Sequence, residues 1–282
     1  MILDTPTTEM ISLNSGNAKI KVDTFNKRIK ILQLTGDLKE LLQKLKPLIE
    51  EHELAKIFYI SLEEDIEKFK EQGFIMEAKI DNFLNGKSGY FLSKFLTTKR
   101  KMSISIPEEE EILIKAREYI DEKYYYPMDK KFTIKTAEED DVFKMTQLYN
   151  EVFETYPTPL HDEKFIKSAI NNDVLFKLIL WDDKIISSAS ADMDSRYLNA
   201  EMTDCATLKQ YRGEGLMGRL IYELEEALKK TNYKVLYSMA RAISPGMNIV
   251  FSKHGYEYGG RLINHCHICG QLEDMNIWIK KL

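Results

Sequence analysis

The chain has 282 residues, 44% hydrophobic and 30% charged, which is enough apolar material for one large core or two of ordinary size. Its 40 basic and 45 acidic side chains leave a formal net charge of -5, excluding the broad cationic field that sequence-independent nucleic-acid binding needs. No basic segment followed by an apolar one opens the chain, and charges interrupt each hydrophobic run short of about 18 residues, so a cytoplasmic protein off the membrane is expected.

After a polar start, alternation over 19–22 and 28–32 predicts a hairpin turning at 23–27. Asp37 is placed to cap a helix that carries Leu38, Leu41, Leu42, Leu45, Leu48 and Ile49 at spacings of three and four. A strand over 57–60, a helix capped by Ser61 and running to 72, and strands over 74–80 and 90–95 complete an α/β unit. Pro107 opens a bridging helix to about 124, with Glu108, Glu109, Glu110 and Glu111 read as a solvated first turn that suits the helix dipole. Lys99-Arg100-Lys101 reads as solvated linker, and Tyr124-Tyr125-Tyr126 as packing at the junction.

The pattern then restarts, with a strand over 132–136, helices over 142–153 and 162–171, and a hairpin of strands 175–181 and 184–192 around Asp182-Asp183. A long strand over 200–208, a glycine-bearing loop, a helix over 216–230, a strand over 234–240, a short helix over 247–254 and closing strands follow. Two domains are expected, an N-terminal α/β domain over 1–105 and a C-terminal one over 131–282, bridged by 106–130. A weak repeat relates them: Lys70-Glu71-Gln72-Gly73-Phe74 before the strand at 89–96 parallels Ser252-Lys253-His254-Gly255-Tyr256 before the strand at 275–282. The first half has only Thr35-Gly36-Asp37 before its long helix, and an acid there repels phosphate, so this half is expected to be a degenerate, non-catalytic copy.

Between strand 200–208 and helix 216–230 stand Gly213, Gly215 and Gly218, flanked by Arg212 and Arg219. Glycines let the backbone approach a ligand, and free amides at a helix start bind pyrophosphate oxygens, so an anion site is expected there; the plainer alternative is a turn and cap with no ligand. The segment is neither a dinucleotide-binding fingerprint nor a phosphate loop with lysine and Ser/Thr.

The order of elements over 132–282 resembles the GCN5-related N-acetyltransferase (GNAT) superfamily, and Arg212-Gly213-Glu214-Gly215-Leu216-Met217 fits its Arg/Gln-x-x-Gly-x-Gly/Ala loop, with Met217 in the last small position. The resemblance implies an α/β (α+β) fold with a mixed central sheet and acetyl-CoA as co-substrate. It also implies a pyrophosphate held around Arg212, Gly213, Glu214, Gly215, Leu216, Met217 and Gly218, and a pantetheine chain paired with the backbone of Cys205, Ala206 and Thr207. Glu201, eleven residues before Arg212, stands where some members place the general base. Asp204 is the second catalytic candidate, on the other strand face unless a bulge intervenes. The tyrosine that often serves as acid on the departing thiolate corresponds to Phe251, which has no proton to donate; the neighbouring asparagine position corresponds to Ser244, with Asn248 close by.

The stretches 237–248, 255–260, 262–264 and 273–278 resemble the β-lysine N-acetyltransferases. That resemblance implies acetyl transfer to the side-chain amine of β-lysine, giving Nε-acetyl-β-lysine, a compatible solute. Such an acceptor needs a cation at its carboxylate, for which Arg241 and Arg261 are candidates, and a carboxylate at its second ammonium, for which Asp204 and Glu273 are. Another small amine or a protein lysine as acceptor, and a non-catalytic acyl-CoA-binding module, remain as alternatives. His265-Cys266-His267-Ile268-Cys269 holds metal-capable side chains, but strand alternation divides them and no second ligand pair is near, so no metal is expected. Nucleic acid and membrane are not expected partners, and monomer and homodimer both stay open.

Overall fold

The computed structural model describes residues 6–120 and 128–282. Its first half runs β1 (Thr7–Leu13), β2 (Gly16–Asp23), β3 (Arg28–Thr35), α1 (Leu38–Lys44), α2 (Lys46–Glu51), β4 (Lys56–Ser61), α3 (Ile66–Glu71), β5 (Ile75–Leu84) and β6 (Lys87–Phe95). The short α4 (Thr98–Lys101) and α5 (Ile106–Arg117) lead to the second half. There follow β7 (Thr133–Thr136), α6 (Val142–Val152), α7 (Glu163–Ile170), β8 (Val174–Trp181), β9 (Lys184–Asp194), β10 (Asn199–Thr207), α8 (Leu216–Leu228), β11 (Val235–Arg241), α9 (Pro245–Lys253), β12 (Glu257–Ile268) and β13 (Gln271–Lys281). None of the described helices is long and apolar enough to cross a membrane.

The strands form one mixed sheet of 13 in the order β1-β2-β3-β4-β6-β5-β12-β13-β11-β10-β9-β8-β7. The mixed α/β architecture expected from the sequence is therefore present, and the two halves share a connectivity. Strands β1-β2-β3-β4-β6-β5 repeat as β8-β9-β10-β11-β13-β12, and β3 runs parallel to β4 as β10 does to β11. The halves meet through corresponding strands, β5 and β12, at the pair Gly260 and Ala78. Only glycine serves at that crossing: Gly260 has φ +140°, and a Cβ there would lie 2.3 Å from the Glu77 carbonyl oxygen. A buried ion pair from the first half, Lys56 to Glu77 at 2.7 Å, grips the second half at one residue. Lys56 Nζ donates to the Ile263 carbonyl at 2.8 Å, and the Ile263 amide donates to Glu77 Oε1 at 2.7 Å.

Apolar side chains fall into three cores, one per half and a third across the joined faces, where Phe58, Phe83 and Phe91 meet Val235, Leu262 and Ile277. Several readings of the sequence change, among them Arg100, which is 2% exposed in α4 and donates to the Asn26 carbonyl at 2.7 Å instead of lying in a solvated linker. Strand β1 was not anticipated, because Thr7, Thr8, Met10 and Ser12 leave an exposed edge without the expected apolar alternation. Ser61 ends β4 instead of capping a helix; its Oγ donates to the Leu62 carbonyl. The bridging helix ends at Arg117, and Tyr124, Tyr125 and Tyr126 lie outside the described residues. Glu109 is 1% exposed instead of solvated, lying 3.4 Å from the Arg261 guanidinium, and burial beside Asp274 pushes its carboxyl up to about 8.

Candidate active site

Strands β10 and β11 pair only from Asn199 with Val235 to Glu201 with Tyr237, and then part. Beyond Glu201, β10 keeps its pairing with β9 but has no strand on its other side, so its backbone borders a cleft of about 650 Å³. Cys205, Thr207, Tyr211, Arg212, Gly213, Gly215, Leu216, Met217 and Gly218 line one wall, and Phe153, Arg241, Ser244 and Met247 stand opposite. The volume suits a cofactor-sized ligand.

The α8 end of the cleft is built for an anion. Gly215 is the N-cap of α8 at φ 75°, no side chain caps the helix, and its first turn carries no acid. The amides of that turn therefore remain free for a ligand oxygen. Glu214, the one carboxylate in the loop, is drawn off by Lys131 at 3.3 Å. Arg212 is anchored by its Nε on the Thr207 carbonyl at 3.1 Å, with its remaining donors at the surface. These features fit the pyrophosphate and pantetheine of coenzyme A. Ala206, by contrast, is buried between Cys205 and Thr207, and its carbonyl accepts from the Ser187 hydroxyl at 3.0 Å.

At the parting of β10 and β11 the sheet presents two carboxylates. Glu201 is half-buried and accepts a hydrogen bond at 3.2 Å from the Tyr237 hydroxyl. Burial pushes its carboxyl up to about 7, reinforced by Asp192, the residue opposite it on β9, and partly offset by Tyr237 and by the Lys30 ammonium. The pairing of β10 with β9 shifts register between Thr203 and Ala206, and Asp204 takes φ 51° within that bulge. The extra residue brings Asp204 onto the face of Ser190, whose hydroxyl donates to Asp204 Oδ2 at 2.8 Å. Because Thr203 pairs with Ser190 and Glu201 with Asp192, that is also the face of Glu201. Asp204 is 4% exposed, its carboxyl is pushed up to about 6 by burial, and its Oδ1 has no well-formed hydrogen bond among the described residues.

A smaller pocket of about 160 Å³ adjoins the cleft at Phe153. Tyr149 lines it from α6, Tyr156 and His161 from the segment that joins α6 to α7, and Phe25 from the first half. The Tyr149 hydroxyl is 3.0 Å from that of Ser188, and burial together with the Asp204 charge holds it well above its usual range.

Several sequence candidates take other roles. Phe251 is fully buried with its ring 5.1 Å from that of Tyr256, so it packs α9 and does not border the cleft. Asn248 is buried as well: Oδ1 accepts from Asn276 Nδ2 and Trp278 Nε1, both at 2.9 Å, while Nδ2 donates to the Ser244 carbonyl at 2.7 Å. It fixes the turn that presents Ser244 to the cleft. Arg261 is spent on Glu109, Glu110 and Asn276, away from the cleft. Arg241 lines the cleft but its guanidinium is paired with Glu273 at 2.7 Å. Cys269 leaves the alternation of β12 in a turn at φ 51° and borders the cleft. His265 and His267 instead pack edge-on against Phe58 and Phe25 of the first half. Among the described residues no three His, Cys, Asp or Glu side chains cluster as metal ligands do.

Residues 142–256 match the acetyltransferase (GNAT) family. A beta-lysine N(6)-acetyltransferase of Methanococcus maripaludis is 36% identical over 261 residues, spanning 93% of this chain and 95% of its own. The N-acetyltransferase YodP of Bacillus subtilis is 36% identical over 260 residues, 92% of this chain and 94% of its own. A beta-lysine N(6)-acetyltransferase of Methanosarcina mazei is 32% identical over 271 residues, 89% of this chain and 100% of its own.

Proposed function

Since the chain belongs to the GNAT family of N-acetyltransferases, we propose that it moves the acetyl group of acetyl-CoA onto the side-chain amine of β-lysine, with Glu201 as general base. That the protein is an acetyl-CoA-dependent N-acetyltransferase follows from the family; the acceptor and the base are our reading. The observation that carries the chemistry is the placement of Glu201 and Asp204 on one face at the point where β10 and β11 part. The acceptor rests on similarity that runs through both halves of the chain, beyond the segment that matches the family.

The amine arrives protonated. A carboxyl group titrating near 7 is poised to take that proton, directly or through a water, before the nitrogen attacks the thioester carbon. Parting of the strands exposes β10 amides and carbonyls to hold the acyl-pantetheine in line. No tyrosine stands at the position of Phe251, so the thiolate either leaves unprotonated or draws its proton from solvent.

The first half, residues 1–105, is read as an acetyltransferase-like unit without a cofactor site, and 131–282 as the catalytic domain, with 106–130 between them. The shared strand order supports that division. The product, a neutral zwitterion, suits a compatible solute made in the cytoplasm. Release of CoA thiol should be followed with β-lysine, α-lysine and polyamines as acceptors, together with the mass of the product. Preference for β-lysine is expected. Tight binding of acetyl-CoA with no thiol released by any amine would show a binding module instead.

A further inference from the structure

The first half contributes more than packing. Strand β3 carries Arg28 and Lys30 on one face, and the residue directly opposite Lys30 on β2 is Lys21. Three cations thus crowd one patch, an arrangement that disfavours folding unless anions answer it. Arg28 is answered: its Nε donates to Asp23 at 2.9 Å and its Nη1 to the His265 carbonyl at 3.0 Å. Lys30 is not. It is half-buried, and among the described residues its ammonium has neither an ion pair nor a hydrogen bond. It stands over the Phe58 ring, 5.9 Å from the centroid.

From Phe58 a continuous run of rings crosses the joined faces of the two halves. Phe58 contacts Phe91 at 5.7 Å between centroids, Phe91 contacts Phe83 at 5.4 Å, and Phe83 contacts Tyr237 at 5.1 Å. The Tyr237 hydroxyl ends that run on Glu201, with Asp192 beside it. A half-buried ammonium without an ion pair and a pair of carboxylates therefore stand on either side of a buried aromatic core between the halves. Lys30 and Glu201 are close enough for each charge to steady the other. The layout is complementary to a diamino acid, with the Lys30 ammonium for its carboxylate and Glu201 and Asp192 for its amines. A polyamine would meet the Lys30 ammonium as a like charge.

We propose that Lys30, supplied by the half of the chain without a cofactor site, binds the acceptor's carboxylate and makes the enzyme select diamino acids over diamines. This rests on the reading above that the acceptor is an amino acid. The test compares β-lysine with 1,4-diaminopentane, its decarboxylated counterpart, in the full-length protein and in Lys30→Met and Lys30→Arg. In Lys30→Met, KM for β-lysine should rise about tenfold or more, the usual cost of losing a charge-assisted hydrogen bond. KM for the diamine should stay level or fall, KM for acetyl-CoA should not move, and Lys30→Arg should recover much of the loss.

An unchanged KM for β-lysine in Lys30→Met, or an equal change for both acceptors, would overturn the proposal and leave Lys30 as a group that merely tunes Glu201. Absence of wild-type turnover with β-lysine would instead refute the acceptor assignment. The same comparison would then be made with α-lysine and 1,5-diaminopentane, and a wild-type preference for the diamine there would overturn the role of Lys30 as well.

Discussion

Replacing Glu201 with glutamine removes the charge that the site depends on, and its effects on rate and on stability run in opposite directions. The carboxyl titrates near 7 in the folded protein against an ordinary 4.5. With Glu201 as the proposed base, its ionised form is the active one, and wild-type kcat/KM should climb about tenfold per pH unit up to about 7 and then level. In Glu201→Gln that limb disappears. At pH 8 the loss should be about 10²- to 10⁴-fold, or roughly 3–5 kcal/mol of barrier. It should narrow as the pH approaches the amine's own value of about 10.4, where solvent removes the proton unaided.

Stability moves the other way, because folding favours the protonated carboxyl. The stabilisation that follows is full below 4.5, the unfolded value, and is lost as the pH rises through about 7. At pH 8 the ionised, half-buried group should therefore cost up to about 3 kcal/mol, the product of the shift and ~1.4 kcal/mol per unit. Glutamine carries no such cost. Thermal melts should place Glu201→Gln above wild type at pH 8 and level with it at pH 4, alongside thiol-release rates across the same range. An inflection near pH 7 that persists in the variant, with unchanged melting, would refute the reasoning and make Asp204 the next residue to test.

Gly215→Ala introduces a Cβ at φ 75° where no protein atom lies within 4 Å, so the strain should cost about 1–2 kcal/mol while the new methyl group faces the ligand. Calorimetry should show acetyl-CoA affinity falling about tenfold, and unchanged affinity would remove this loop from the phosphate site. Asn248→Ala strips partners from Trp278 Nε1 and Asn276 Nδ2, two buried donors at about 1–3 kcal/mol each, so melting should drop sharply and acetyl-CoA binding should weaken as Ser244 shifts. Phe251→Tyr should not speed CoA release: the new hydroxyl enters a fully buried position against Tyr256, and loss of about 1–3 kcal/mol of stability with unchanged kcat is expected. A clear gain in kcat would place residue 251 at the thioester after all.

The cofactor end of the site was legible because its physics is local. A strand, glycines and an amphipathic helix in sequence order already place free amides at a helix start, and Gly213, Gly215 and Gly218 all border the cleft. The acceptor end was not, because it is made by side chains far apart in the chain. Asp204 reaches the face of Glu201 through a bulge whose existence depends on the register of β10 against β9, which alternation alone does not reveal. Arg261 read as a candidate for the acceptor's carboxylate and Glu109 as a solvated charge; their burial together follows from α5 meeting β12, a contact between residues 152 apart. Lys30 lay in a hairpin with nothing to connect it to Glu201 until the sheet closed. Its like-charged cross-strand partner was the one signal available, since Lys21 and Lys30 fall opposite each other in that hairpin.

The repeated topology gives each half a corresponding helix start, and the two differ in what an anion would meet there. In both halves a strand leads to a helix and then to a parallel neighbour, β3 to α1 to β4 and β10 to α8 to β11. At the first of these helix starts the Asp37 carboxylate accepts from the Glu40 amide at 2.9 Å, so a side chain already holds the donor and its charge repels phosphate. At the second, Gly215 leaves the corresponding donors free and admits no competing carboxylate. The difference amounts to a cap. A helix that caps itself gains stability and gives up an anion site, whereas a helix left uncapped is completed by its ligand. Freed from the cofactor, the first half can present the opposite face of its sheet to the second, where Lys56 and Glu77 grip β12 and Lys30 faces the carboxylates of β9 and β10.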